Sequence, residues 1–175
     1  FKRLVEAARP APTPQPSPPR PAVLRSAEYR GRLADGLLQL DAVLQLEILA
    51  DDWVRVPLWS SGSIVAFDGG GAVLARGDGG VEVVARGPRR LEIRATLAFA
   101  APARPGENRL ELELPDAPLN LLEVAAGPGL EGLAVETALA YRVEPRRSFA
   151  ALAAGRATLV YTVPYREAES AGGEE

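Results

Sequence analysis

Between Leu37 and Ala50 the chain reads LLQLDAVLQLEILA, with Leu38, Leu40, Ala42, Leu44, Leu46 and Ile48 at every second position and Gln39, Asp41, Gln45 and Glu47 between them. Side chains alternate sides along a strand, so this spacing yields one apolar and one polar face only if the segment is extended. A helix would scatter the carboxylates and amides into its apolar stripe. Leucine's preference for helix is worth only tenths of a kcal/mol per residue, whereas burying each leucine gains about 1.5–3 kcal/mol. The spacing therefore predicts a strand with one face in a core.

The flanking segments repeat the theme. Ala27, Tyr29, Gly31 and Leu33 alternate with Glu28, Arg30 and Arg32 in a strand beginning near Val23, and Asp35-Gly36 links it to the leucine strand as a two-residue hairpin turn. Asp51-Asp52 predicts a second turn into Trp53–Leu58, so the first three strands are expected to form an antiparallel meander. Ile64–Phe67, Ala72–Arg76 and Val81–Ala85 are short strands parted by Asp68-Gly69-Gly70-Gly71 and Gly77-Asp78-Gly79-Gly80. Arg90–Phe99 is a second cleanly alternating strand, followed by Leu110–Leu114, Leu119–Ala125, Leu133–Val143 and Ala157–Tyr165. Ser148–Ala154 reads equally well as a helical turn or the end of a loop. No segment has the length of a βαβ crossover helix, so the expected fold is all-β: an antiparallel two-sheet β-sandwich of about ten strands over residues 23–165.

Residues 1–9, with Phe1, Leu4, Val5 and Ala8 on one side, predict a short helical remnant or docking segment. Residues 10–22 form a proline-rich linker, with seven prolines between Pro10 and Pro21, an extended spacer reaching about 35–40 Å. Residues 166–175 are expected to be an acidic, disordered tail. The chain contains no methionine, even at position 1, as expected of a piece of a longer product.

What is missing narrows the chemistry. There is no cysteine and no histidine, which removes disulfides, thiolate and imidazole metal sites, and Ser-His-Asp or Cys-His catalysis. No enzyme activity, cofactor or metal is expected. Nineteen arginines and Lys2 are scattered among 23 acidic residues for a net charge of −3, which argues against nucleic-acid binding. No apolar run is long enough to cross a membrane as a helix.

Two features bear on binding. Asp68-Gly69-Gly70-Gly71 and Gly77-Asp78-Gly79-Gly80 have hard-oxygen donors, but one carboxylate per loop is too few for calcium, and they are expected to be turns. In Trp53–Trp59, alternation places Val54, Val56 and Leu58 on one side and Trp53, Arg55, Pro57 and Trp59 on the other. Pro57 cannot donate to a ladder, so this strand is expected at an edge or at a bulge. Trp53, Arg55 and Trp59 are the candidate partner- or glycan-binding residues, an aromatic and guanidinium surface suited to interfaces. The expected function is a non-catalytic structural or protein-interaction module of a bacterial cell-envelope or extracellular assembly, contacting a protein partner or neighbouring domain. The alternative is a carbohydrate-binding module using the same three residues.

Overall fold

Asp35 and Gly36 both adopt positive φ, 49° and 75°, the requirement of the tight hairpin turn whose twist matches its flanking strands. The computed structural model describes residues 19–165; the segment 1–9, most of the proline-rich linker and the tail 166–175 lie outside the described residues. Thirteen strands are formed: β1 (Ala22–Ala34), β2 (Leu37–Ile48), β3 (Trp53–Trp59), β4 (Ser63–Asp68), β5 (Val73–Gly77), β6 (Gly80–Arg86), β7 (Arg89–Ala100), β8 (Gly106–Glu113), β9 (Leu119–Ala126), β10 (Glu131–Val135), β11 (Ala138–Glu144), β12 (Arg147–Leu152) and β13 (Arg156–Val163). There is no helix among the described residues, so none is long and apolar enough to cross a membrane.

Seven strands make one sheet in the order β11-β12-β9-β1-β2-β7-β4. Its pairing shows which face is apolar: Ala150, Leu122, Tyr29, Ala42 and Ala95 stand side by side across β12, β9, β1, β2 and β7, and all are buried. The neighbouring row on the opposite face runs Phe149, Glu123, Arg30, Asp41 and Thr96. Gly31 stands on the apolar face beside Leu40, whose side chain fills the space above it; a Cβ there would collide with Leu40 and with the Gln39 carbonyl. Two three-stranded sheets, β3-β6-β5 and β10-β13-β8, cover that face. Val54, Trp59, Val83 and Ala85 from the first and Leu133, Leu159 and Tyr161 from the second join the leucines of β2 in one buried cluster. Ser60 Oγ donates to Glu113 at 2.9 Å between the two small sheets, and Ser148 Oγ donates to the Leu133 carbonyl at 2.6 Å between β12 and β10.

The expected all-β, sandwich-like arrangement is present, with four corrections. The large sheet is mixed, because β1 pairs with β9 in parallel. β3 does not continue the meander: the sheet position beside β2 is taken by β7, over the full register Leu37↔Ala100 to Ile48↔Arg89, and β3 crosses to the second layer to pair with β6. Leu133–Val143 is two strands, since the chain turns at Glu136-Thr137 and leaves one layer for the other. Of the undecided Ser148–Ala154 stretch, Ser148–Leu152 belong to a strand, β12, held between β9 and β11, and Ala153-Ala154 lie in the turn that follows.

Candidate partner-binding site

β3 carries the residues singled out by the sequence, and the structure separates them. Trp53 is 62% exposed at the strand's start, and Arg55, two residues on, is exposed and paired with Glu82 at 3.2 Å. Trp59 is only 2% exposed. The reason is a β-bulge: Pro57 stands opposite Glu82 but Trp59 opposite Val81, so Leu58 is an extra residue and the alternation slips by one. Trp59 therefore points inward on the same side as Val83 and Ala85, and the surface expected from Trp53, Arg55 and Trp59 together does not form. β3 is both an edge strand and bulged, as Pro57 implied.

Inside the core Trp59 lies by Tyr29. Burial pushes the Tyr29 phenol well above its ordinary value, and the neighbouring indole N–H opposes the rise in part. Neither Tyr29 Oη nor Trp59 Nε1 meets hydrogen-bond geometry with any partner among the described residues, so the pair is a packing contact with its polar atoms only loosely matched. Asp68 does not join any ligand set; its carboxylate accepts from the Gly70 amide at 3.1 Å and closes its own turn.

The surface with the better claim lies at the other end of the large sheet. β11 is its outermost strand on that side. Tyr141 stands opposite Ala150 and Val143 opposite Ser148, both buried, so these two side chains project from the core side of the sheet. The second layer does not reach them: Tyr141 is 67% and Val143 50% exposed. Leu139, the extra residue of a bulge between Ala138 and Ala140, is 75% exposed. Outer-face side chains of the same strands enclose a hollow of about 470 Å³ bounded by Leu121, Ala140, Phe149 and Ala151. The Arg142 guanidinium sits 4.7 Å from the centre of the Phe149 ring and pairs with Glu144 at 3.2 Å. Glu123 closes the far rim between Arg30 at 3.6 Å and Arg147 at 3.5 Å.

This site is missing from the sequence reading because Leu139, Tyr141 and Val143 continue the alternation of Leu133 and Val135, which marks them as core. Whether a second layer extends over them depends on strands distant in sequence. The fold thus defines an all-β, sandwich-like class of protein: one large mixed sheet, one apolar face covered by two small sheets, and an edge that none of the described residues covers.

No protein-family model and no curated protein matches the sequence. Among solved structures, the chain resembles an M1 zinc metallopeptidase from Deinococcus radiodurans, with 13% identity and a TM-score of 0.51 over 81% of this chain and 42% of that one. It also resembles a protein named for nutrient binding from Legionella pneumophila, with 9% identity and a TM-score of 0.53 over 81% of this chain and 67% of the other. At these identities the likeness is one of fold. The chain spans less than half the length of the peptidase it matches. Its residues do not fit that protein's zinc: histidine and cysteine are absent from the sequence, and no group of three potential ligands gathers among the described residues.

Proposed function

We propose that the chain is a non-catalytic, sandwich-like interaction module that engages a protein partner or neighbouring domain by accepting an extended segment as an added strand along β11. The observation that carries this reading is the run of exposed Leu139, Tyr141 and Val143 on the outermost strand of the large sheet. An unpaired edge offers main-chain donors and acceptors, and alternate side chains of the incoming segment give specificity. Here those side chains meet Tyr141 and Val143 on one face and Arg142 beside Phe149 on the other. The bulge at Leu139 confines the regular edge to Ala140–Glu144. The edge at β8 is a poorer acceptor, because Glu107, Arg109, Glu111 and Glu113 line it with charge.

The lack of histidine and cysteine supports a role without catalysis. The fold's occurrence as part of a longer peptidase chain supports a place beside another domain. The proline-rich stretch Pro10–Pro21 supports a module held at a distance from its anchor, in a bacterial cell-envelope or extracellular assembly. Affinity capture from source-cell extract with the full chain tests the reading. The specific partner is lost with Tyr141→Asp and with Val143→Asp, and retained with Trp53→Ala; a partner held equally by both β11 variants overturns it. A glycan reading keeps one observation, the exposed Trp53 next to Arg55, and loses Trp59 to the core. Titration with glycans should then shift tryptophan emission in the native chain and not in Trp53→Ala, and an unresponsive native chain removes that reading.

A further inference from the structure

Resting on the glycan reading of Trp53, we infer that the outer face of the β3-β6-β5 sheet is a track for an extended, uncharged oligosaccharide, running from Trp53 along β3 to a hollow at the seam between the two small sheets. Trp53, Arg55 and Pro57 project from that face at alternate positions, over a span of about 13 Å. Their ladder partners Arg86, Val84 and Glu82 stand beside them on β6, held outward by the alternation that buries Val83 and Ala85. Val73 and Ala75 of β5 continue the last two rows. The track ends in a hollow of about 270 Å³ where the end of β3 meets the end of β8. Glu82, Ser60, Glu113 and Arg156 bound it, with buried Leu58 and Leu114 behind them. Glu82 belongs to both parts, since it lines the hollow and pairs with Arg55 at 3.2 Å.

The chemistry selects the occupant. A peptide strand is a poor fit along this edge, because Pro57 has no N–H and the bulge at Leu58 shifts the ladder. A guanidinium group only donates hydrogen bonds and a carboxylate only accepts them, whereas a sugar hydroxyl does both. Along the track the carboxylates of Glu82 and Glu113 are balanced by the guanidinium groups of Arg55 and Arg156, so a neutral polyhydroxylated chain satisfies both kinds of group where a charged one is repelled by half of them. Glu113 faces Arg156 across the β8-β13 ladder but accepts from Ser60 Oγ at 2.9 Å across the seam, and Arg156 has no ion pair among the described residues. Its donors are therefore open to a ligand. At the other end the exposed Trp53 indole offers a flat apolar surface to the ring of one sugar, and Arg86, directly opposite it in the ladder, supplies donors at that ring's edge. The hollow is at the small end of ligand sites, a size for the last sugar of a chain.

The test is isothermal titration of the full chain with cello-, xylo-, manno- and N-acetylated chito-oligosaccharides, from single sugars to hexasaccharides, and with oligogalacturonates as the charged control. One neutral series binds, and its affinity rises at least about tenfold from disaccharide to tetrasaccharide, because contacts at Trp53 and in the hollow then lie on one molecule. Trp53→Ala and Gly79→Leu each lower the affinity for the tetrasaccharide at least about tenfold, with an unchanged melting temperature. Gly79 lines the hollow, and a Cβ there meets no atom within 4 Å, so leucine fills the space without displacing a neighbour. Arg156→Gln and Glu113→Gln, the latter keeping an oxygen for Ser60, weaken the tetrasaccharide in the same direction. An oligosaccharide that binds through Trp53 with no gain beyond the disaccharide, or with affinity indifferent to Gly79→Leu and Arg156→Gln, overturns the track and leaves the glycan reading standing. Oligogalacturonates that bind more tightly than every neutral series overturn the uncharged assignment. No binding by any series removes the track and the glycan reading together.

Discussion

β2 and β11 belong to the same sheet and show the same alternation, yet one is the best-buried strand of the molecule and the other the most open. In β2 every core-side residue from Leu38 to Ile48 is buried, with β1 and β7 on either flank and two small sheets above. In β11, Tyr141 and Val143 face the same side of the same sheet and remain half or more exposed. Alternation thus decides which side of a strand is apolar, while cover is decided by how far the second layer extends. Where the layer stops short, the apolar side chains are left exposed.

The contrast is sharpest for a buried charge. Leu44→Asp places an unpaired carboxylate in the middle of β2 and is expected to cost more than about 4 kcal/mol, enough to abolish a cooperative melting transition. Val143→Asp on β11 should change the stability of a single chain by about 0.5 kcal/mol or less, measured in dilute solution. Equal losses in urea titrations would show that β11 is covered after all.

The two tryptophans extend the comparison to β3. Trp59→Ala should cost about 3–5 kcal/mol and Trp53→Ala about 0.5 kcal/mol or less. With Trp59 replaced by phenylalanine, the remaining Trp53 emission is strongly quenched by acrylamide; with Trp53 replaced, the remaining Trp59 emission is protected. Matching quenching would break the assignment of the bulge at Leu58.

The smallest effects come from two buried tyrosines. Tyr161 Oη donates to the Pro102 carbonyl, and Tyr161→Phe should cost about 0.5–1.5 kcal/mol. Tyr29 Oη has no hydrogen-bond partner among the described residues, so Tyr29→Phe should cost almost nothing near neutral pH. Burial raises the folded pKa of Tyr29 above the ordinary value of 10.0, so above that pH the unfolded chain releases a proton the folded chain retains. Stability therefore falls as pH rises through this region, and Tyr29→Phe flattens the fall. Urea midpoints on either side of pH 10 check the sign. Tyr161, also raised by burial, contributes in the same direction.

Features carried by local chemistry were legible in the sequence. Asp35-Gly36 closes its hairpin because both positions tolerate positive φ, and the strands it joins keep the alternation that predicts them. Features set by distant neighbours were not. The departure of β3 from β2 depends on β7 and β6, far along the chain. The inward turn of Trp59 depends on one extra residue, which a period of two cannot reveal, although Pro57 marked the spot. The break in Leu133–Val143 falls at Glu136-Thr137, with neither glycine nor proline to announce it, and the large apolar residues keep to odd positions on both sides. Of the candidate site, Trp53 and Arg55 were placed on the surface correctly; the open edge at β11 was hidden within an apparently ordinary core strand.

The parallel pairing of β1 with β9 has a bearing on how the chain is made. A hairpin of β1 and β2 needs only neighbouring residues and can close as soon as it leaves the ribosome. Its β1 side then waits for Leu119–Ala126, with all of β3 to β8 synthesised in between. Contacts of such sequence separation form slowly, and a strand side left open meanwhile attracts the wrong partner. A nascent chain halted before β9 therefore leaves one side of the leucine-rich hairpin unpaired, and β9 supplies the strand that closes it.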